Sequence, residues 1–317
     1  MFSFAVAAGC DIFDSAAYAL YAKRERYMTE YGTYRLDNLE YFPCACRVCS
    51  KYTPQELREL PIEERKRLLA WHNLETCFVE IKRVKQAIRE GRLWELLELR
   101  ARSHPSLLQA LKTLRTHGDY IETQSPVSKE RGLFYFDSTG LMRPEIVRYQ
   151  NKLRSWVPPE RYRVLSLLPQ PRSKPFHKSR EYVRFFRLAK RELGEKLRLI
   201  HTCTYTAPFG VIPLELDEVY PLSQYESTSS YDKETIDYVA KQVKLYIKSH
   251  DNLYESVVYY NDMMDLGKRV REACRRASTN VKTILLQPTS LGDLWSKKSL
   301  ETLIDTISKA TNRVRES

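Results

Sequence analysis

At 317 residues the chain is long enough for two domains of roughly 100–200 residues each, and 43% hydrophobic residues exclude general disorder. The formal charge of +12, spread from end to end, favours a polyanionic partner, of which nucleic acid is the commonest. Four of the seven cysteines (10, 77, 203 and 274) stand alone, which argues against a disulfide framework and for a reducing compartment.

In chain order, Phe2 to Ala8 is a short apolar run that predicts a buried strand, closely followed by the acidic Asp11 and Asp14. The run lacks a basic leader and is too short for a signal peptide. The two aspartates also interrupt any membrane span, so a soluble cytoplasmic protein is expected, with no membrane partner. Thr33 to Leu39 suggests a short strand or turn leading into a cysteine loop. Cys44, Cys46 and Cys49 fall within six residues, and His72 follows on a predicted helix. Thiolates at this spacing can converge on one centre, where the imidazole completes a tetrahedron around Zn²⁺. Four protein ligands leave no open position, so such a metal is structural.

Thr53-Pro54-Gln55-Glu56 predicts a capped helix start. A long helix is expected from Ile62 to a stop at Gly91, a second from Arg92 to Arg102, and a third from Ser106 to His117, closed by Gly118. Residues 119–160, rich in turn signals, read as a linker carrying one amphipathic helix, roughly Pro144 to Trp156. Strands are then expected at 163–168, 197–205, 256–260 and 281–287. Helices are expected at 180–194, 233–250, 263–277 and 296–315, with a long loop over 206–230. This alternation predicts a parallel sheet covered by helices.

Two places could carry chemistry. A carboxylate at the end of a buried strand, Asp14, can act as a nucleophile, although a residue so placed also suits a helix N-cap. The loop Pro169 to Arg180 holds Arg172, Lys174, Lys178 and Arg180 without a carboxylate, between a strand and a helix. That position suits phosphate or RNA backbone, or else a plain solvated basic loop. No phosphate-cradling Gly-rich loop, dinucleotide fingerprint or serine-hydrolase elbow is present.

The run Gly9 to Ala22 with Arg26-Tyr27-Met28-Thr29, the segment Tyr41 to Cys49, His72, Glu80 to Ile88 and Leu99 to Pro105 together closely resemble archaeal tRNA-guanine transglycosylase, which begins archaeosine synthesis. The likeness extends more loosely to Val219 to Glu226. It implies an α/β protein: residues 1–118 as the C-terminal end of a TIM barrel with a zinc-binding subdomain, then the 119–160 linker. A smaller parallel α/β domain follows over 161–317, with no PUA domain seen. It also implies Asp14 as the nucleophile that attacks C1′ of the target guanosine in tRNA, and Cys44, Cys46, Cys49 and His72 as Zn²⁺ ligands. The incoming base is 7-cyano-7-deazaguanine (preQ0), exchanged at position 15.

A TIM barrel needs about 250 residues and eight strands, and fewer than 120 precede the linker, so most of the preQ0 pocket and the family's other catalytic aspartate are not expected here. The expectation is therefore a C-terminal subunit of a split enzyme, with an N-terminal transglycosylase subunit supplying the rest of the barrel. Two alternatives are an archaeosine-synthase-like paralogue and a non-catalytic tRNA-binding subunit. The paralogue's Pro-Cys-x-x-x-Lys-Pro-Tyr-x-x-Ser motif is only partly kept, with Gln170 in place of Cys and Phe176 in place of Tyr.

Overall fold

The structure, a computed structural model, describes residues 1–277, 280–288, 292 and 294–313. It divides into two compact units, Met1–Arg131 and Gly132–Ser317.

The first unit is mainly helical. Phe2–Ala7 forms helix α1 rather than the expected strand. A short apolar run has no periodicity that separates a buried strand from a buried helix. Here Ala5, Ala7 and Ala8 favour helix, and only Val6 is β-branched. A strand would also need a neighbour for its N–H and C=O groups. Among the described residues of this unit the strands are β1 (Arg26–Met28) and β2 (Thr33–Arg35), an antiparallel hairpin pairing Tyr27 with Tyr34. No barrel sheet is present among them.

Helix α2 (Ala17–Lys23) precedes the hairpin. Helix α3 (Pro54–Glu59) starts on the expected capping box: Thr53 Oγ1 accepts from the Glu56 N–H, and the Glu56 carboxylate accepts from the Thr53 N–H. The spine is α4 (Ile62–Arg89), about 42 Å long at 1.5 Å per residue. Its buried residues Leu69, His72, Asn73, Cys77, Glu80, Val84 and Ala87 recur three or four apart, so one face carries them all. The chain leaves it through Gly91 at φ +70°, a conformation that favours glycine. Helices α5 (Leu93–Ala101) and α6 (Pro105–Leu114) follow. Gly118 does not close α6. It has a right-handed helical φ of −55° and begins α7 (Gly118–Thr123).

In the second unit, β3 (Leu133–Tyr135) and α8 (Pro144–Ser155) lie inside the stretch read as a linker. Tyr135, Ile146, Tyr149 and Leu153 belong to this unit's apolar core, so these residues are structural and not a tether. Strands β4 (Val164–Pro169), β5 (Ile200–Thr206), β8 (Ser256–Tyr260) and β9 (Lys282–Leu286) run parallel. Within the expected 206–230 loop lie two more short strands. Gly210–Pro213 (β6) adds antiparallel to β5, and Tyr225–Ser227 (β7) pairs in parallel with β3. The five-stranded order is β6-β5-β4-β8-β9.

Every residue of β4, β5, β6 and β8 is buried, as befits strands covered on both faces. Helix α9 (Arg180–Leu193) packs with α12 (Lys297–Thr311), and α10 (Lys233–Ser249) with α11 (Asp265–Arg275). The chain moves one way from β4 to β5 and the other way from β8 to β9. Right-handed crossovers then put the two helix pairs on opposite faces. No helix among the described residues is long and apolar enough to cross a membrane.

Candidate metal centre and the Asp14 segment

Cys44, Cys46, Cys49 and His72 come together in the first unit, with one ligand atom from each lying within 4.8 Å of all the others. The cysteines sit on the loop after β2, and His72 projects from the buried face of α4. His72 Nδ1 is 3.4 Å from Cys46 Sγ and 3.5 Å from Cys49 Sγ. The other ring nitrogen, Nε2, lies 2.9 Å from the Met28 carbonyl. A carbonyl only accepts, so Nε2 carries the hydrogen and the Nδ1 lone pair faces the thiols, the form a metal needs.

Burial pushes the His72 pKa down and the Cys46 and Cys49 thiols up. The neutral imidazole is therefore ready to ligate, whereas the thiols give up their protons in exchange for a bound cation. Three sulfurs and one imidazole nitrogen form a donor set able to hold a metal ion.

Several neighbours hold this set in place. The Tyr27 ring stacks on His72 at 3.8 Å between centroids and on Phe42 at 5.0 Å, and its hydroxyl is 3.4 Å from Cys49 Sγ. Asn73, fully buried beside His72, donates through Nδ2 to the carbonyls of Tyr18 and Arg26, and its Oδ1 accepts from the Met28 N–H. It ties α2 and β1 to α4, a role that nothing in the sequence singles out. From the loop itself, Arg47 pairs with Glu75 of α4 at 2.7 Å and lies over the Trp71 ring.

Asp14 is exposed, in a stretch with neither helix nor strand, so it does not stand at the end of a buried strand as expected. Nor does it cap the helix after it: α2 has no side-chain cap, and the Ala17 N–H is taken by Ser15 Oγ. Asp14 lines a cavity of about 420 Å³ in the same unit, together with Tyr21, Glu80 and Arg100. Arg100 and Glu80, only 5% and 8% exposed, make a two-pronged ion pair at 2.7 and 2.9 Å.

In the second unit the basic loop meets tertiary partners. Lys178 pairs with Glu218, and His177 Nδ1 lies 2.7 Å from Asp217. The ammonium of Lys174 lies 3.9 Å from the Tyr225 ring centroid; burial lowers its pKa, with Glu226 acting the other way. Arg172 and Arg180 are exposed. Asp217 and Glu218 come from a distant segment, so the local sequence overstates the net charge of this loop. Gln170, where the paralogue has its cysteine, accepts from the hydroxyls of Tyr225 and Thr206.

A long helix carrying a histidine into a three-cysteine loop, followed by a doubly wound sheet, defines a two-unit α/β protein with a metal-binding first unit. Residues 1–106 match the family model described as queuine tRNA-ribosyltransferase, and residues 146–307 match a domain of unknown function, DUF5591. A tRNA-guanine(15) transglycosylase of Methanobrevibacter smithii is 42% identical over 257 residues, covering 80% of this chain and 38% of the relative. That of Methanocaldococcus jannaschii is 40% identical over 288 residues, covering 85% and 40%. One from Methanococcus maripaludis is 37% identical over 320 residues, covering 99% and 47%.

The chain belongs to the DUF5591 family, and its resemblance to the archaeal tRNA-guanine transglycosylases runs through both units. It spans less than half the length of these curated relatives. A crystal structure of AF0587, described as a protein of unknown function, aligns over half of each chain at 21% identity and a TM-score of 0.33.

Proposed function

We propose that this chain is the metal-braced C-terminal subunit of an archaeal tRNA-guanine transglycosylase that exchanges guanine for preQ0 at position 15 of tRNA. The observation that carries the reading is the transglycosylase match over residues 1–106, the segment that holds both Asp14 and the Cys3His set. The donor set suits a closed tetrahedral Zn²⁺ site held by Cys44, Cys46, Cys49 and His72. These residues would hold the ion so that the loop is braced against α4, a structural role apart from the exchange.

Asp14 is the nucleophile in this reading. Its carboxylate oxygen bonds to C1′ as the bond from C1′ to the guanine nitrogen breaks. The incoming base then displaces the carboxylate, so two easier steps replace one difficult exchange. The target base is buried in folded tRNA and must be turned out of its stack. The exposed Arg172 and Arg180 are available for the phosphate backbone.

Asp14 is exposed, and the described residues of its unit form no barrel sheet around it. In this reading an N-terminal transglycosylase subunit supplies the strands that enclose the reacting base. The test is labelled-guanine exchange into archaeal tRNA by the purified chain, alone and mixed with such a subunit. Exchange is expected only in the mixture, with Asp14→Ala abolishing covalent trapping of tRNA. Robust exchange by the chain alone would remove the need for a partner. Unchanged exchange by Asp14→Ala in the mixture would leave the chain as a tRNA-binding scaffold.

A further inference from the structure

The second unit carries a feature that the transglycosylase reading does not use. In its sheet the connections run from β4 to β5 on one side and continue to β8 and β9 on the other, so the order reverses between β4 and β8. Crevices outside the carboxyl ends of the strands at such a reversal are the usual ligand sites of open α/β sheets. This one holds a cavity of about 210 Å³, lined by Gln170 just past β4, Thr206 at the end of β5 and Asp262 just past β8. The aromatic rings of Tyr205 and Tyr231 form further wall, and Ser230 lies at the rim.

The volume is below the roughly 300–1,000 Å³ of sites for drug-sized ligands, which limits an occupant to a single small ring system. The chemistry of the lining narrows it further. The N-terminus of α11 would ordinarily attract an anion, but Asp262 already occupies it: Oδ1 accepts from the Met264 N–H at 2.9 Å. Gly267 allows this approach, because a Cβ there would collide with the side-chain oxygens of Asp262 and Asn261.

Met263, between the carboxylate and the helix, has φ +66°, a conformation rare for a residue with a side chain. The backbone thus holds the carboxylate in place at some cost. Asp262 is only partly exposed; besides the Met264 N–H, its carboxylate has hydrogen bonds with Tyr205 and the Gly267 backbone, and its two oxygens offer about four acceptor positions in all. The other polar lining groups are hydroxyls, the Gln170 amide and a second carboxylate, Asp265, and among the described residues no Lys or Arg lines the cavity.

We propose that this cavity binds a small planar molecule through an amidine-like edge, two adjacent N–H donors directed at Asp262, with Tyr205 and Tyr231 against its faces. That edge is shared by guanine-type bases and amidinium cations. A donor pair offsets the loss of hydration that burial imposes on the carboxylate. Consistent with this, burial pushes the Asp262 carboxyl pKa up, against hydrogen bonds with Met264, Tyr205 and Gly267 that favour the charged form. The site lies wholly within the second unit and does not depend on the role assigned to Asp14.

The test is titration of the full chain by ligand-observed NMR with benzamidine and isocytosine, which carry the edge, and with uracil and inorganic phosphate, which do not. Binding of benzamidine or isocytosine, but not of uracil or phosphate, is expected; which of the two binds tells a cation from a neutral base. Asp262→Asn should weaken binding by about tenfold or more, the scale of a hydrogen-bonded charge. Ser230→Trp, at an exposed position, should block entry without disturbing the core, and it carries the test if Asp262→Asn does not fold. No binding of either probe at millimolar concentration, equal binding of phosphate, or unchanged affinity in a folded variant would overturn the proposal.

Discussion

The two units reach order by different means. In the second, β4, β5, β6 and β8 are buried along their whole length, and a continuous apolar cluster runs from Leu133 to Ala310. Burial at about 25 cal/mol per Å² of apolar surface is enough to account for a sheet of this kind. Around the cysteine loop of the first unit the buried apolar cluster is Ala22, Tyr27 and Leu69, with Leu39 and Phe42 against it. There polar and ionic groups take over: Asn73 linking three elements, Arg100 locked to Glu80, and the Cys3His set. A segment with little local core gains most from a cross-link, and a metal held by the Cys3His set would supply one. The basic character of the chain is also uneven in effect, since Lys178 and His177 are countered by Glu218 and Asp217.

The sharpest way to break this contrast is to take the metal away. Structural zinc in zinc-finger peptides contributes about 10–16 kcal/mol of apparent binding energy. Chelation, or the Cys46→Ser/Cys49→Ser double variant, should therefore abolish amide protection in residues 1–131 and leave β4, β5 and β8 protected. Hydrogen exchange with elemental analysis reads both. Full protection of 1–131 in metal-free protein would refute the role given to the cluster.

The opposite lesion is Phe209→Ala. Phe209 is fully buried, edge-on to Tyr149 and Tyr225 at 5.4 and 5.0 Å. Its truncation should cost about 3–5 kcal/mol, lowering the urea midpoint for the second unit while metal content stays unchanged. A smaller effect, visible only in acid, belongs to Glu215. Burial raises its pKa, but hydrogen bonds with His201 and Tyr162 outweigh that and hold it at about 2, below the ordinary 4.5. A depressed carboxyl contributes fully above its unfolded value and loses its contribution as pH falls through its folded value. Stability should thus decline between about pH 4.5 and about 2, and Glu215→Gln should flatten that decline in acid titrations followed by circular dichroism.

Much of this was legible in the chain. The capping signature Thr53 to Glu56, the stop at Gly91 and the alternation of strands and helices after Arg163 are local signals with local causes. The spacing of Cys44, Cys46 and Cys49 pointed to a metal, because thiols that close converge whatever the surrounding fold. Other features were not legible. Phe2 to Ala8 is apolar in either conformation, and whether it becomes helix or strand depends on what lies beside it. The strands Leu133–Tyr135 and Tyr225–Ser227 are three residues each and exist through their pairing with one another. Asp262 is a single carboxylate after a strand, and nothing local marks it as the floor of a crevice.

By itself the sequence determined the capped start at Thr53, the stop at Gly91 and which donor atoms are on hand for a metal, because these follow from side chains within a turn or two. Only the tertiary structure decided that Nδ1 of His72 faces the sulfurs, that Asp217 and Glu218 temper the basic loop, and that the sheet reverses direction above Asp262. Each of these depends on groups far apart in the chain, whose meeting is set by packing and not by local preference.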